Sequence, residues 1–288
     1  MKIKVAKSAG FCFGVKRAVD SVYEQIKINN DNNSNGKIYS YGSIIHNETV
    51  VDDLKSKGVM VIEGEEELKS LKEGTIIIRS HGVSKHIYDI IEKNGLKLVD
   101  ATCPFVKRIH KIVFENSSNG AEIIIIGNEK HPEVEGIKGW SSTKTTVIGT
   151  EAEAEEFITD KTDEICLVSQ TTFNYKKFNK LVEIISKKGY NINVVNTICN
   201  ATNERQVEAK EISGTTDAMI VIGGRNSSNS QKLYEICKDE CNNTYFIQTA
   251  DDLNSISLEG CECVGITAGA STPNNIIEEV QANVRIKF

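Results

Sequence analysis

Leu96-Lys97-Leu98-Val99-Asp100-Ala101-Thr102-Cys103 is a short apolar run that ends on a cysteine, and the chain holds three stretches of this kind. Lys2-Ile3-Lys4-Val5-Ala6-Lys7 leads to Cys12, and Ile192-Asn193-Val194-Val195-Asn196-Thr197 leads to Cys199. The three cysteines are separated by 91 and 96 residues (103 − 12 and 199 − 103), close to one third of the 288-residue chain. Cys-x-x-Val-Lys-Arg repeats outright at Cys12–Arg17 and at Cys103–Arg108. A threefold repeat with one thiol per unit suits a metal cluster that keeps one coordination position open.

Outward from these runs the pattern is uniform. Lys37–Tyr41, Thr75–Ile78, Glu122–Ile126, Ile165–Val168, Met219–Ile222 and Val264–Thr267 are short and rich in Ile and Val. Continuous apolar runs, as opposed to alternation, are the mark of strands covered on both faces, as in parallel sheets. Amphipathic stretches at Val15–Ile26, Val106–Glu115, Tyr175–Lys188 and Ser230–Cys237 lie between them. The alternation predicts an α/β fold with mainly parallel sheets. Each third holds about three strands, counting the one that leads to its cysteine. The pattern resets at Gly95 and Gly189, which places the units at 1–94, 95–188 and 189–288. Asn29–Gly36 reads as an exposed loop and Glu151–Glu156 as the solvated start of a helix.

Composition narrows the function classes. The chain is 39% hydrophobic and 26% charged, which is ordinary for a globular protein. A net charge of −6 with scattered basic residues argues against nucleic-acid binding. The apolar runs are too short to span a membrane, and the N-terminus alternates like a strand, unlike a signal peptide. A cytoplasmic protein with reduced thiols is therefore expected. Of the eight cysteines, Cys166 falls inside a strand and reads as core. Cys261 and Cys263 would share one side of a strand, and Cys237 and Cys241 one helix face. No Cys-x-x-Cys pair occurs, so zinc ribbons and bacterial-ferredoxin runs are excluded. Gly223-Gly224 lacks the order of a dinucleotide fingerprint.

Ligands of open α/β sheets bind beyond the carboxyl ends of the strands. The loops there are Ser43–Glu48, Arg79–Gly82, Gly127–Glu133, Ser169–Thr172, Gly223–Ser230 and Ala268–Pro273. Turn chemistry alone accounts for any one of them, since Gly, Ser, Asn and Thr dominate turns. Histidine shifts the balance: of five in the chain, His46, His81 and His131 all fall in these loops. Histidines, hydroxyls, carboxamides and glycine amides together suit a small anion such as a diphosphate. His86 and His110 lie inside helical patterns and read as surface or packing residues. Glu133, two residues after His131 in the same loop, reads either as a helix-start charge or as a proton donor.

Taken together, these segments resemble the iron–sulfur family of 4-hydroxy-3-methylbut-2-enyl diphosphate reductases, the last step of the methylerythritol phosphate route to isoprenoids. The resemblance is carried by Gly10–Val15, Ile45-His46-Asn47, Arg79–Val83, Asp100–Pro104, Gly127-Asn128 through His131-Pro132-Glu133 and Ser169–Thr172. It continues through Thr197-Ile198-Cys199, Ala201-Thr202, Arg205-Gln206, Asn226–Ser230 and Thr267–Pro273. It implies three similar α/β domains in pseudo-threefold arrangement around one [4Fe–4S] cluster, with Cys12, Cys103 and Cys199 as ligands and one iron without a protein ligand. It implies that His46, His81, His131, Ser227, Ser228, Asn229 and Ser271 surround the diphosphate. Thr171 and Glu133 would stand near the hydroxyl, Glu133 as the proton source. It also implies an external electron donor such as a ferredoxin or flavodoxin, and we expect a monomer. Three alternatives compete with this reading: a non-redox hydro-lyase, another three-cysteine enzyme like quinolinate synthase, and a cluster-based sensor or carrier. A carrier would want four cysteines and no polar pocket.

Overall fold

The structure, a computed structural model, describes residues 1–31, 36–160 and 164–287. The chain runs β1 Lys2–Val5, α1 Phe13–Asp31, β2 Ile38–Tyr41, α2 Glu48–Ser56, β3 Val59–Ile62, α3 Glu65–Ser70, β4 Thr75–Ile78 and α4 Lys85–Lys93. It continues β5 Lys97–Asp100, α5 Pro104–Ser118, β6 Glu122–Ile126, α6 Pro132–Lys138, β7 Thr145–Ile148, α7 Glu151–Glu156, β8 Ile165–Ser169 and α8 Tyr175–Ser186. The last part is β9 Ile192–Val194, α9 Asn200–Ser213, β10 Ala218–Ile222, α10 Ser228–Glu240, β11 Thr244–Ile247, a 3-10 turn at Ala250–Ser255, β12 Cys263–Ala268 and α11 Asn274–Lys287.

Every strand pair is parallel, and the strands form three four-stranded sheets in the orders β3-β2-β4-β5, β7-β6-β8-β9 and β1-β12-β10-β11. The fold is α/β, as the Ile/Val runs predict. The two inner strands of each sheet are the continuous runs. Ile76-Ile77-Ile78, Ile123 to Ile126 and Ile220-Val221-Ile222 are wholly buried, since helices cover both faces. Each such side chain contributes about 1.5–3 kcal/mol by leaving water.

Edge strands are a different case. In each sheet one edge is the strand that leads to a cysteine, and the other is β3, β7 or β11, which the sequence pattern does not announce. Met60 and Leu98 on the edges are exposed, so these strands need no unbroken apolar run. Sheet membership also shifts by one strand from the thirds. The expected limits at 95 and 189 put β5 and β9 at the head of a unit. Pairing instead puts β5 beside β4 and β9 beside β8, and β1 closes the last sheet beside β12. Edge position explains this. A crossover helix can deliver a parallel strand to either flank of a sheet, and composition does not record which sheet receives it.

The chain forms two compact units. One comprises Met1–Lys16, His46–Val51 and the residues from Cys199 on, with the third sheet; the other comprises Arg17–Ile45 and Asp52–Ile198, with the first two sheets. Helix α1 reaches Asp31, so the first residues of the expected Asn29–Gly36 loop are helical. Residues 32–35 of that loop lie outside the described residues. Glu151–Glu156 forms the whole of α7, started by a capping box between Thr150 and Glu153. No helix of the described residues is long and apolar enough to cross a membrane.

Candidate active site

In the larger unit, the loop that follows β4 is tied to those after β2 and β5, and the loop after β6 to that after β8. Ser80 N donates to Ile44 O at 3.1 Å, and Cys103 N donates to Ser80 O at 2.9 Å, so Cys103 is tied to the loop that carries His81. Gly82 in that loop has φ +70, and a Cβ there would lie 2.6 Å from His110 Cε1. Only glycine fits. His110 is buried and stacked on Trp140 at 5.0 Å, while His86 is exposed beside Glu65. Both are packing or surface residues, as their helical positions suggest. Gln170 N donates to Ile126 O, and Gln170 Oε1 accepts from Asn128 N, which joins the loops after β6 and β8.

These ties converge on Glu133. His131 caps α6, its Nδ1 accepting from Glu133 N at 3.1 Å. A neutral His131 ring therefore carries its proton on Nε2, as a donor. His81 meets His131 edge to face, with ring centroids 5.4 Å apart. Pro132 at the first helical position fixes the turn, and the Glu133 side chain, 2% exposed, points inward. Thr171 N donates to Glu133 Oε1 at 2.6 Å, and Thr171 Oγ1 donates to Oε2 at 2.7 Å. Burial pushes the Glu133 carboxyl up to about 7, against the two bonds from Thr171, which favour the charged form. A solvated helix-start charge would show none of this. A buried carboxyl that gains and loses its proton near neutrality is the equipment of a general acid.

The smaller unit holds hydroxyls and two of the three cysteines. Ser227 caps α10, accepting at Oγ from Ser230 N at 3.3 Å and from Ser230 Oγ at 2.9 Å. Ser271 Oγ lies 3.4 Å from Ser227 Oγ and donates to His46 O at 3.0 Å. Asn229 is buried, and its Nδ2 has no partner among the described residues. Ser228 is half-buried beside it. Gly224 approaches so closely that a Cβ would lie 2.6 Å from His46 O. Glu48 accepts from Asn226 Nδ2 at 3.2 Å and from Gln248 Nε2 at 2.9 Å, steadying the same loop. Hydroxyls, a spare amide donor and the start of a thirteen-residue helix gather where an anion would be favoured.

Cys12, Cys103 and Cys199 are half-buried, outside any disulfide, and each stands at the start of a helix. Their carbonyls accept from Lys16 N, Lys107 N and Asn203 N at 2.9, 3.0 and 3.1 Å, and each stands immediately before the first residue of α1, α5 or α9. At Cys199 burial raises the thiol pKa, opposed by bonds from the backbone of Ala201 and Thr202. The other thiols differ. Cys166 and Cys237 are fully buried in the core, their thiols pushed up to about 11 and about 12 by that burial, and Cys241 packs beside Cys237. β12 begins at Cys263, so Cys261 lies outside the strand and the two do not share its side.

Gln170 and Glu48 lie in loops that the sequence singles out and Arg205 in a segment of the resemblance, but what each of them ties together is not readable from those positions. Each acts through contacts between segments far apart in the chain.

A family model described as LytB protein matches residues 3–285. A 4-hydroxy-3-methylbut-2-enyl diphosphate reductase of Caldanaerobacter subterraneus subsp. tengcongensis is 45% identical over 99% of this chain and 97% of its own. One from Clostridioides difficile is 44% identical over 97% and 98%. A solved structure of (E)-4-hydroxy-3-methyl-but-2-enyl diphosphate reductase, described as the terminal enzyme of the non-mevalonate pathway, matches with TM-score 0.70 at 40% identity, covering 99% of this chain and 100% of that one. The structure of an E-1-hydroxy-2-methyl-but-2-enyl-4-diphosphate reductase from Plasmodium falciparum matches with TM-score 0.89 at 28% identity, over 99% and 87%. With likeness of sequence and fold from end to end, the chain belongs to the LytB protein family.

Proposed function

We propose that this chain reduces 4-hydroxy-3-methylbut-2-enyl diphosphate, replacing the allylic hydroxyl by hydrogen to give isopentenyl and dimethylallyl diphosphate. Two electrons and two protons enter, and the hydroxyl leaves as water. The observation that carries the reading beyond family membership is Glu133, a buried acid gripped by Thr171 beside His131 and His81. A hydro-lyase or a substrate-free carrier has no comparable support, since every relative named above is a reductase of this diphosphate class.

Cys12, Cys103 and Cys199 would hold a [4Fe–4S] cluster, one thiolate from each repeat. Three thiols at helix starts, none of them in a disulfide, are a soft donor set that fits iron and sulfide. Such a cluster, when bound, supplies electrons one at a time and an iron able to polarise the C–O bond. The chain's own groups do the rest. The hydroxyls of Ser227, Ser228 and Ser271, the amide of Asn229 and the rings of His46, His81 and His131 bind and orient the diphosphate. Glu133 holds the proton that converts the departing hydroxyl to water, and Thr171 keeps the carboxyl aimed. Electrons come from an outside protein such as a ferredoxin or flavodoxin, for the chain has no dinucleotide fingerprint.

The diphosphate assignment is tested by binding. Removing the polar group of Ser227, Asn229, Ser271, His46 or His81 should weaken substrate by about 1–3 kcal/mol through lost or orphaned hydrogen bonds. The free alcohol should bind far more weakly than its diphosphate in a calorimetric titration. Equal affinity for the two would remove the basis for this pocket. Reductant consumption on addition of substrate is the second check, because a lyase would turn over without electrons.

A further inference from the structure

Arg205, in α9, is 5% exposed, unusual for an arginine. Its Nη1 donates to Ala201 O at 2.9 Å, and its Nη2 donates to Gly10 O at 2.8 Å. Ala201 lies in the first turn of the helix that Cys199 opens, and Gly10 lies two residues before Cys12. One planar guanidinium therefore joins the two cysteine-bearing segments of the smaller unit. Gly10 has φ +100, and a Cβ there would fall 2.4 Å from Asn274 Oδ1, so this carbonyl is presented from a conformation open to glycine. On the far side, Cys12 N donates to Ala270 O at 3.2 Å.

Glu204 and Glu208 act on the charge of Arg205 only from beyond ion-pair distance, behind the two thiols. No ion pair to it exists among the described residues, and the carboxylate of Glu208 is taken up by the Lys7 and Ser8 amides and the Ser8 hydroxyl. Its Nε is buried without a hydrogen-bond partner. Burial lowers the guanidinium's pKa, and the thiols of Cys12 and Cys199 are the first groups that raise it again. A buried cation satisfied only by two neutral carbonyls is costly unless an anion shares its surroundings. A spare N–H and a buried charge without an ion pair, beside two thiols, are what an anionic cluster would complement.

We propose that Arg205 is a positioning residue for the cluster: its fork sets the spacing of the Cys12 and Cys199 segments, and its charge favours the added electron. The inference rests on the reading that these cysteines are cluster ligands. The test uses the full chain, reconstituted anaerobically with iron and sulfide, as wild type, Arg205→Lys and Arg205→Met. Irons per chain, iron loss to a ferrous chelator and the midpoint potential by redox titration are read on each. At a fixed poise, Arg205→Met should show a reduced-to-oxidised ratio about tenfold or more below wild type, which is about 59 mV for a one-electron couple. Arg205→Lys keeps the charge but not the fork. It should stay within about threefold of the wild-type ratio and yet lose iron several-fold faster.

A wild-type potential in Arg205→Met, or wild-type iron retention in Arg205→Lys, overturns the proposal. A residue that merely stabilised the fold would change iron retention and leave the potential alone. Should Arg205→Met fail to hold iron, Arg205→Lys decides. Faster iron loss at a near-wild-type potential supports the assignment, and a tenfold drop in its ratio overturns it. A wild-type chain that takes up no iron would instead reject the cluster itself.

Discussion

Glu133→Gln should lower turnover by about 10²–10⁴-fold, the usual worth of a placed general acid. The substitution keeps size and the clamp: Thr171 N can still donate to the amide oxygen, and Thr171 Oγ1 can turn from donor to acceptor. Only the transferable proton goes. Substrate should therefore still perturb the spectrum of the loaded protein, while single-turnover reduction becomes slow. Glu133→Asp should keep part of the activity, because the acid survives at shorter reach. Near-normal turnover in a folded Glu133→Gln protein would refute the role.

The carboxyl's position at about 7 adds a pH signature. Wild-type turnover should fall roughly tenfold per unit above that value, as the acid loses its proton. Stability carries the same sign. A carboxyl raised in the fold above its ordinary 4.5 favours the folded state fully below 4.5, and that advantage is lost as pH rises through about 7. The loss is of order 3 kcal/mol. Denaturation of wild type across this window should show the decline, and Glu133→Gln should be nearly flat.

The second large effect concerns the thiols. Serine at Cys12, Cys103 or Cys199 should abolish reduction and leave the anaerobically prepared protein short of the approximately four irons per chain of a [4Fe–4S] cluster. Serine at Cys166, Cys237, Cys241, Cys261 or Cys263 should leave the iron content in place. Core positions Cys166 and Cys237 should lose some stability by placing a hydroxyl in an apolar cluster. Iron analysis of the eight variants is the measurement. If Cys237→Ser proved as damaging to iron as Cys103→Ser, the ligand assignment would fail.

What the sequence makes legible follows from how locally each feature is encoded. Glu122–Ile126 and Thr75–Ile78 announce themselves because a strand covered on both faces must be apolar throughout, and both occur with those limits. Thr145–Ile148 and Thr244–Ile247 do not, for one flank of an edge strand needs no such run. The ownership of Lys97–Asp100 is likewise invisible, since its pairing is settled by chain crossover. Glu133 stands out in sequence only as a carboxylate near a histidine. Its protonation near neutrality comes from burial, against the two bonds from Thr171, and no local pattern records either the burial or that partner. Arg205 is a further case, because its partner Gly10 is 195 residues away.

The pairing of Lys2 with Cys263 through Val5 with Ile266 has a consequence for biosynthesis. A ribosome releases the first strand long before the strand it must lie beside exists. Until then its backbone donors and acceptors on that side face water, and the Cys12 segment lacks the Ala270 carbonyl that anchors it. Sheets β3-β2-β4-β5 and β7-β6-β8-β9 can close as soon as residues up to Val194 have emerged. The remaining sheet closes last, across the longest loop in the molecule, and such closure is slow. Iron loading should therefore be a late, post-translational event. A nascent chain stalled before Cys263 should expose its first thiol to alkylation while the hydrogen-bonded backbone of the middle third is already protected from exchange.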